Sequence, residues 1–201
     1  MHVDVELYRR ELQVHDRPRV ALSCIDIAPD DAERTLVFLH GFGGSALQWR
    51  YQLMHFSDHH RVIALDLRGH GLSDQPDGPY DLETLLNDLD AALRQLDVPR
   101  SFVMVGHSFG GALAIEYALR RPNRVSHLVL VAASGRYPLA WYLRWALNLP
   151  LPLLNAVYPL LRRTIPAPPR VLKPFYFDTL LSWNGWDRMR LIRQPALVIR
   201  G

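Results

Sequence analysis

Between the apolar run Ser101-Phe102-Val103-Met104-Val105 and an apolar periodicity that begins near residue 108 stands Gly106-His107-Ser108-Phe109-Gly110. A strand that passes straight into a helix must turn so sharply that side chains two positions either side of the apex collide, so 106 and 110 call for glycine. The turn lifts the Ser108 hydroxyl clear of the sheet and aims the N-terminus of the following helix at the same point. The pattern predicts a strand over 101–105 and a helix from Ser108 to about Arg121, stopped by Pro122. Ala112, Ile115, Ala118 and Leu119 would pack that helix on a sheet. Read alone, the five residues could also be a tight turn with a capping serine, and the flanking patterns favour the presented hydroxyl.

The same short apolar signature recurs at 35–39, 61–65, 125–131 and 196–199, as expected of strands buried on both faces. Between them, Asp81 is placed to cap a helix whose Leu82, Leu85, Leu86, Leu89, Leu93 and Leu96 share one face, with Val98-Pro99 as its stop. Strand and helix in alternation imply parallel pairing through right-handed crossovers, hence an α/β fold with helices on both faces. Residues 7–14 and 19–27 predict an opening hairpin across His15-Asp16-Arg17-Pro18. No internal repeat is visible.

With 201 residues, 49% hydrophobic and 21% charged, the chain is long enough for one sizeable core. The formal charge is +3, but the basic residues are scattered in runs no longer than a pair, so nucleic acid is not an expected partner. Cys24 is the single cysteine, which excludes an intramolecular disulfide and a thiolate metal cluster. Asp4 and Glu6 stand where a secretory signal would be basic and then apolar. A cytoplasmic protein without metal or cofactor is the expectation, with its oligomeric state open.

The stretch 137–186 breaks the rhythm, because it holds ten of the twenty aromatic residues and eight of the fifteen prolines. Residues 145–161 carry no charge, yet Pro150, Pro152 and Pro159 each remove a backbone donor that lipid could not replace. An apolar lid of short helices, its aromatics facing the serine, is therefore preferred to a membrane span. Contact of that lid with a membrane surface stays open. The expected division is a core over 1–135, a cap over 136–190, and a return to the core over 191–201.

A second element, His40-Gly41-Phe42-Gly43-Gly44-Ser45, follows the run at 35–39 and lets backbone approach a ligand closely. The Phe42 N–H, paired with the Phe109 N–H, would make a two-donor oxyanion hole for acyl transfer. A phosphate loop is disfavoured because the Lys and Ser/Thr of that motif are missing. In Asp66-Leu67-Arg68-Gly69-His70-Gly71-Leu72-Ser73, Gly69 and Gly71 are read as shaping a turn, and Asp66 and Arg68 as holding neighbouring backbone. His40 and His107 are read as packing residues beside the site, together with Gly41, Gly106 and Gly110, since neither imidazole can reach the Ser108 hydroxyl without distorting the turn.

Taken in order, these three motifs resemble the α/β-hydrolase superfamily, in its branch with a serine nucleophile and a cap inserted after strand 6. The resemblance implies Ser108 as nucleophile, Phe42 and Phe109 as oxyanion donors, and 191–201 as the entry to strand 7. It also implies a catalytic acid after strand 7 and a histidine after strand 8, positions that would lie beyond Gly201. The alternative acid position after strand 6 holds Ala132-Ala133-Ser134, and Asp178 and Asp187 read as solvated. The chain is therefore expected to lack the last strand and helix of the fold and to be nearly inactive as it stands.

The function expected from the resemblance is hydrolysis of a carboxylic ester or related acyl compound bearing an apolar group, through an acyl-enzyme on Ser108. Serine at 108 argues against the relatives with an aspartate nucleophile, the epoxide hydrolases and haloalkane dehalogenases. Carbon–carbon bond hydrolase, thioesterase and perhydrolase chemistries share all three motifs. A non-catalytic chain, or one that needs a second polypeptide to complete it, is the alternative of a different class.

Overall fold

The computed structural model describes residues 4–161 and 167–200, so residues 162–166 of the expected cap and the ends at 1–3 and 201 lie outside the described residues. β1 (Arg9–Asp16) and β2 (Arg19–Ile27) form the antiparallel hairpin. Its start differs from the sequence reading, because Leu7 and Tyr8 belong to a 3-10 turn over Val5–Tyr8. The Asp4 carboxylate accepts the Glu6 amide there at 3.1 Å, and such a cap favours a helical turn over extension.

β2 pairs antiparallel with β4 (Arg61–Leu65). From β4 onward, β3 (Thr35–Leu39), β5 (Phe102–His107), β6 (Val125–Val131) and β7 (Ala196–Ile199) are joined in parallel, in the order β1-β2-β4-β3-β5-β6-β7. The strands expected at 35–39, 61–65, 101–105, 125–131 and 196–199 are thus all present to within two residues.

Successive strand residues point to opposite faces of the sheet, so one strand feeds two cores. Leu36, Phe38, Val62 and Ala64 pack with Trp49 and with Leu53 of α1 (Arg50–Phe56). Val37, Leu39, Ile63 and Leu65 belong to the opposite core, with Leu85, Leu89 and Leu93 of α2 (Leu82–Gln95) and Ala112, Ile115 and Ala118 of α3 (Phe109–Arg120). α2 starts where expected, the Asp81 carboxylate accepting the Thr84 amide at 2.8 Å. The Arg68 guanidinium does not hold backbone, contrary to the sequence reading. It is buried against the Asp88 carboxylate of α2 at 2.6 and 2.7 Å, since a buried charge needs an opposite one nearby.

After β6 the chain forms α4 (Trp141–Asn148), α5 (Leu151–Leu161), α6 (Pro169–Pro174), a π-helical stretch over Phe175–Leu180 and α7 (Gly185–Met189). Pro150 falls in the break between α4 and α5. No helix among the described residues is long and apolar enough to cross a membrane. The aromatics divide, which corrects the expectation that they all face the serine. Phe175, Tyr176 and Trp183 are buried in the main core, whereas Trp141, Tyr142, Trp145 and Trp186 are exposed. The buried group is held by a polar anchor as well: Glu116 of α3 accepts Trp183 Nε1 at 3.1 Å and Arg188 Nε at 2.8 Å.

Candidate functional site

Ser108 occupies the apex between β5 and α3 with φ 49 and ψ −117, a backbone conformation that non-glycine residues avoid. Its N–H donates to the Val131 carbonyl at 2.9 Å and its C=O accepts the Gly111 amide at 2.9 Å, so the flanking strand and helix impose the conformation. The side chain makes no capping bond, which removes the capping-serine reading. The glycines are there for space. A Cβ on Gly106 would collide with the Gly110 carbonyl, and one on Gly110 with the Leu39 carbonyl.

The loop after β3 lies against this apex. A Cβ on Gly41 would sit 3.2 Å from Ser108 Cβ and 2.8 Å from His107 Nδ1, so only glycine lets the loop come so near. The Gly44 amide donates to the Gly41 carbonyl at 2.9 Å with Gly43 at φ 74, the pattern of a type II turn. Phe42 is the second residue of that turn, and its N–H takes no part in the turn's own bond. Phe109 is the first residue of α3, so its N–H has no partner within the helix.

The loop is anchored from below. Asp66, at the end of β4 and fully buried, accepts the Ala46 amide at 2.6 Å, the Leu72 amide at 3.1 Å and Arg9 Nη1 at 2.9 Å. The expectation that Asp66 holds neighbouring backbone is met across two loops at once. His40 accepts the Leu67 amide on Nε2 at 3.0 Å, which leaves the proton on Nδ1 to donate to the Gly41 carbonyl at 2.8 Å. Burial pushes its imidazole down to about 3, with His70 alongside as a lesser cause. With both nitrogens engaged, His40 has no free one to offer as a base. His107 is half-buried against Trp49, and burial lowers its basicity too. Among the described residues no side chain hydrogen-bonds to the Ser108 hydroxyl.

Two residues at the site escaped sequence reasoning. The Tyr137 hydroxyl donates to the Ser108 carbonyl at 2.6 Å, and its ring stacks on Trp183 at 5.6 Å. Burial pushes that phenol up to about 12. Phe175 packs against Phe109 at 4.8 Å and Phe42 at 5.3 Å between ring centres, so one residue of the returning segment touches both the loop after β3 and the first residue of α3. No local pattern could have singled out either residue, because each reaches a partner 29 or more positions away, with α3 and β6 between them. Beyond Phe42 a cavity of about 440 Å³ opens between the loop and α4, α5 and α6, walled by Leu139, Leu147, Leu154 and Leu172 among others. Asp178 and Asp187 are exposed and stand in the segments over 175–180 and 185–189.

Comparison with known proteins bears on these observations. Residues 34–167 match the family model described as alpha/beta hydrolase fold. Epoxide hydrolase 3 of Xenopus tropicalis is 38% identical over 145 residues, 71% of this chain and 38% of that protein. A non-heme chloroperoxidase of Streptomyces lividans is 45% identical over 100 residues, 49% of this chain and 36% of that protein. The chain thus spans little more than a third of the length of these curated relatives. The crystal structure of a hydrolase from Pseudomonas aeruginosa PA01 superposes with a TM-score of 0.77 at 25% identity, covering 96% of this chain and 80% of that one. With the family match running over well more than half of its residues, and a solved hydrolase structure covering 96% of it, the chain belongs to the α/β-hydrolase fold family.

Proposed function

We propose that the chain carries the nucleophile of a hydrolase for carboxylic esters or related acyl compounds with an apolar group. Ser108 attacks the carbonyl carbon, the Phe42 and Phe109 amides receive the negative charge that gathers on oxygen, the ester C–O bond breaks and the alcohol leaves with the serine proton, and water then releases the acid from the acyl-enzyme and restores the hydroxyl. The observation that carries this reading is the strained φ of 49 at Ser108, held by backbone bonds while its hydroxyl makes no structural bond. Asp97 and Ala132 share a positive φ, but at Ser108 it falls on a hydroxyl presented between a strand and a helix, and in a family of enzymes that argues for chemistry there. The apolar walls of the cavity beyond Phe42 support an apolar acyl or alkyl group.

Epoxide opening, suggested by the name of one relative, fits serine poorly. A serine hydroxyl that opened an epoxide would be left as an ether, which water does not cleave, whereas an ester on serine can turn over. Carbon–carbon bond hydrolysis, thioester hydrolysis and perhydrolysis proceed through the same acyl-serine and remain within the proposal. The division into a core over 1–135, a cap over 136–190 and a return over 191–201 belongs to this reading, with the cap closing the acyl pocket.

The test is acylation by a p-nitrophenyl ester followed by mass spectrometry of the intact chain and its peptides. With no base on the hydroxyl among the described residues, the adduct should form slowly, in the range of about 10³ to 10⁴ over the uncatalysed reaction that such sites keep without their activating groups. It should map to the peptide containing Ser108 and vanish in Ser108→Ala. An adduct on another residue, or none above the uncatalysed rate, would overturn the proposal.

A further inference from the structure

Glu116 and Asp178 enclose sixty-one residues without a single acidic side chain. Within that interval, 136–173 carries six basic residues, Arg136, Arg144, Arg162, Arg163, Arg170 and Lys173. Over the whole chain 23 basic residues face 20 acidic ones, so this segregation is local and not a property of the composition. Arg162 and Arg163 lie outside the described residues. Of the other four, Lys173 donates to the Leu149 carbonyl at 2.9 Å and Arg170 lies 3.9 Å from Asp77. Arg136 and Arg144 are exposed and have no ion pair among the described residues.

The same segment turns apolar side chains outward. Trp141 is 80% exposed, Trp145 65% and Leu160 84%, with Tyr142 and Leu153 also in solvent. α4 buries no residue, and at eight residues it is too short to span a bilayer. Tryptophan and tyrosine beside arginine on short helices is the composition that settles at the headgroup level of a membrane, the rings entering the acyl boundary and the cations meeting lipid phosphates. Charge complementarity selects the surface, since Arg144 stands one turn from Trp141 and next to Trp145 on α4, with no ion-pair partner among the described residues, and such a cation is attracted to an anionic leaflet.

The geometry points to the outer face of α4 and α5 as a docking surface for an anionic lipid bilayer. Leu143, Leu153 and Val157 belong both to this half-wetted face and to the wall of the 440 Å³ cavity, so the docked face and the cavity share helices. An apolar substrate would then pass from the acyl boundary into the cavity without crossing water. The docking itself does not depend on the role of Ser108.

Flotation of the 201-residue chain with vesicles, of phosphatidylcholine alone or with roughly one third phosphatidylglycerol, tests the inference. The chain is expected to float with the anionic vesicles at low salt and markedly less with neutral ones. Arg144→Gln should weaken partitioning by about fivefold, the effect of one cation near such a surface. Trp141→Ser combined with Trp145→Ser should weaken it roughly tenfold or more. These side chains are exposed, and unchanged circular dichroism and urea midpoint would verify that the variants fold. Ser108→Ala should float as the parent does, which separates this result from the fate of the acyl-enzyme. Failure of the parent to bind anionic vesicles, or equal binding by the double variant, would overturn the inference. So would a parent dimer that the double variant dissolves while vesicle binding stays absent, because the face would then belong to a second copy of the chain.

Discussion

Asp66 Oδ1 accepts the Ala46 amide at 2.6 Å, so the last turn of chain after β4 holds the loop that leaves β3 against the Ser108 apex. The same carboxylate takes the Leu72 amide and Arg9, and it is fully buried. Replacing Asp66 by Ala would leave the buried Ala46 amide without its acceptor, while Arg9 keeps Glu6 and Ser23 as partners. A loss of about 1 to 3 kcal/mol is expected, the range for a buried donor left unsatisfied. Urea denaturation of Asp66→Ala against the parent checks it, and a loss below about 1 kcal/mol would show that the loop stands without its anchor.

The glycines at the site should differ sharply in their tolerance. Gly106→Ala drives a Cβ into the Gly110 carbonyl, which is backbone and cannot swing aside. Gly43→Ala meets nothing within 4 Å and costs only its φ of 74, roughly 1 to 2 kcal/mol. Soluble yield and melting temperature should collapse in the first and fall by several degrees in the second. Equal behaviour would mean that the elbow relaxes in a way its packing does not suggest.

Protonation of His40 opposes folding. Its ordinary value of 6.5 is pushed down to about 3 by burial, so below pH 6.5 the unfolded chain takes up a proton that the folded chain refuses. Stability from this group is therefore complete above pH 6.5 and is lost as pH falls from there toward 3. The slope is at most about 1.4 kcal/mol per pH unit. His70, also lowered chiefly by burial, acts in the same direction. Chemical denaturation between pH 7 and 4 should show the loss, and the His40 ring protons should hold their NMR shifts throughout. A ring that titrates near 6.5 in the folded protein would contradict the buried Leu67 to His40 bond.

Phe175 is fully buried and touches the rings of Phe42, His70, Tyr80 and Phe109. Phe175→Ala should cost about 3 to 5 kcal/mol through the cavity it leaves. Phe175→Leu should recover most of that loss while still removing the ring contacts. If Phe175→Leu acylates Ser108 at the parental rate, the aromatic contacts serve packing alone; a slower rate at near-parental stability would assign Phe175 a part in positioning the Phe42 loop.

The chain's own sequence determined the strands, the two long core helices and the serine turn. Each depends on contacts within a few residues: the unbroken apolar runs of 35–39 and 61–65, the Asp81 cap, and the mutual exclusion of side chains at 106 and 110. The same locality misled at Leu7, where an Asp4 cap three residues earlier overrode the apolar pattern. What only the tertiary structure decided are relationships between residues far apart in the chain. Arg68 pairs with Asp88 instead of backbone, Tyr137 reaches the Ser108 carbonyl, and Phe175 bridges Phe42 and Phe109 from the far side of the 137–186 stretch. That stretch has one composition but two fates, since Phe175 and Trp183 go inward while Trp141 and Trp145 stay in solvent. Hydrophobicity is a property of a side chain, whereas burial depends on which surface the rest of the chain brings to meet it.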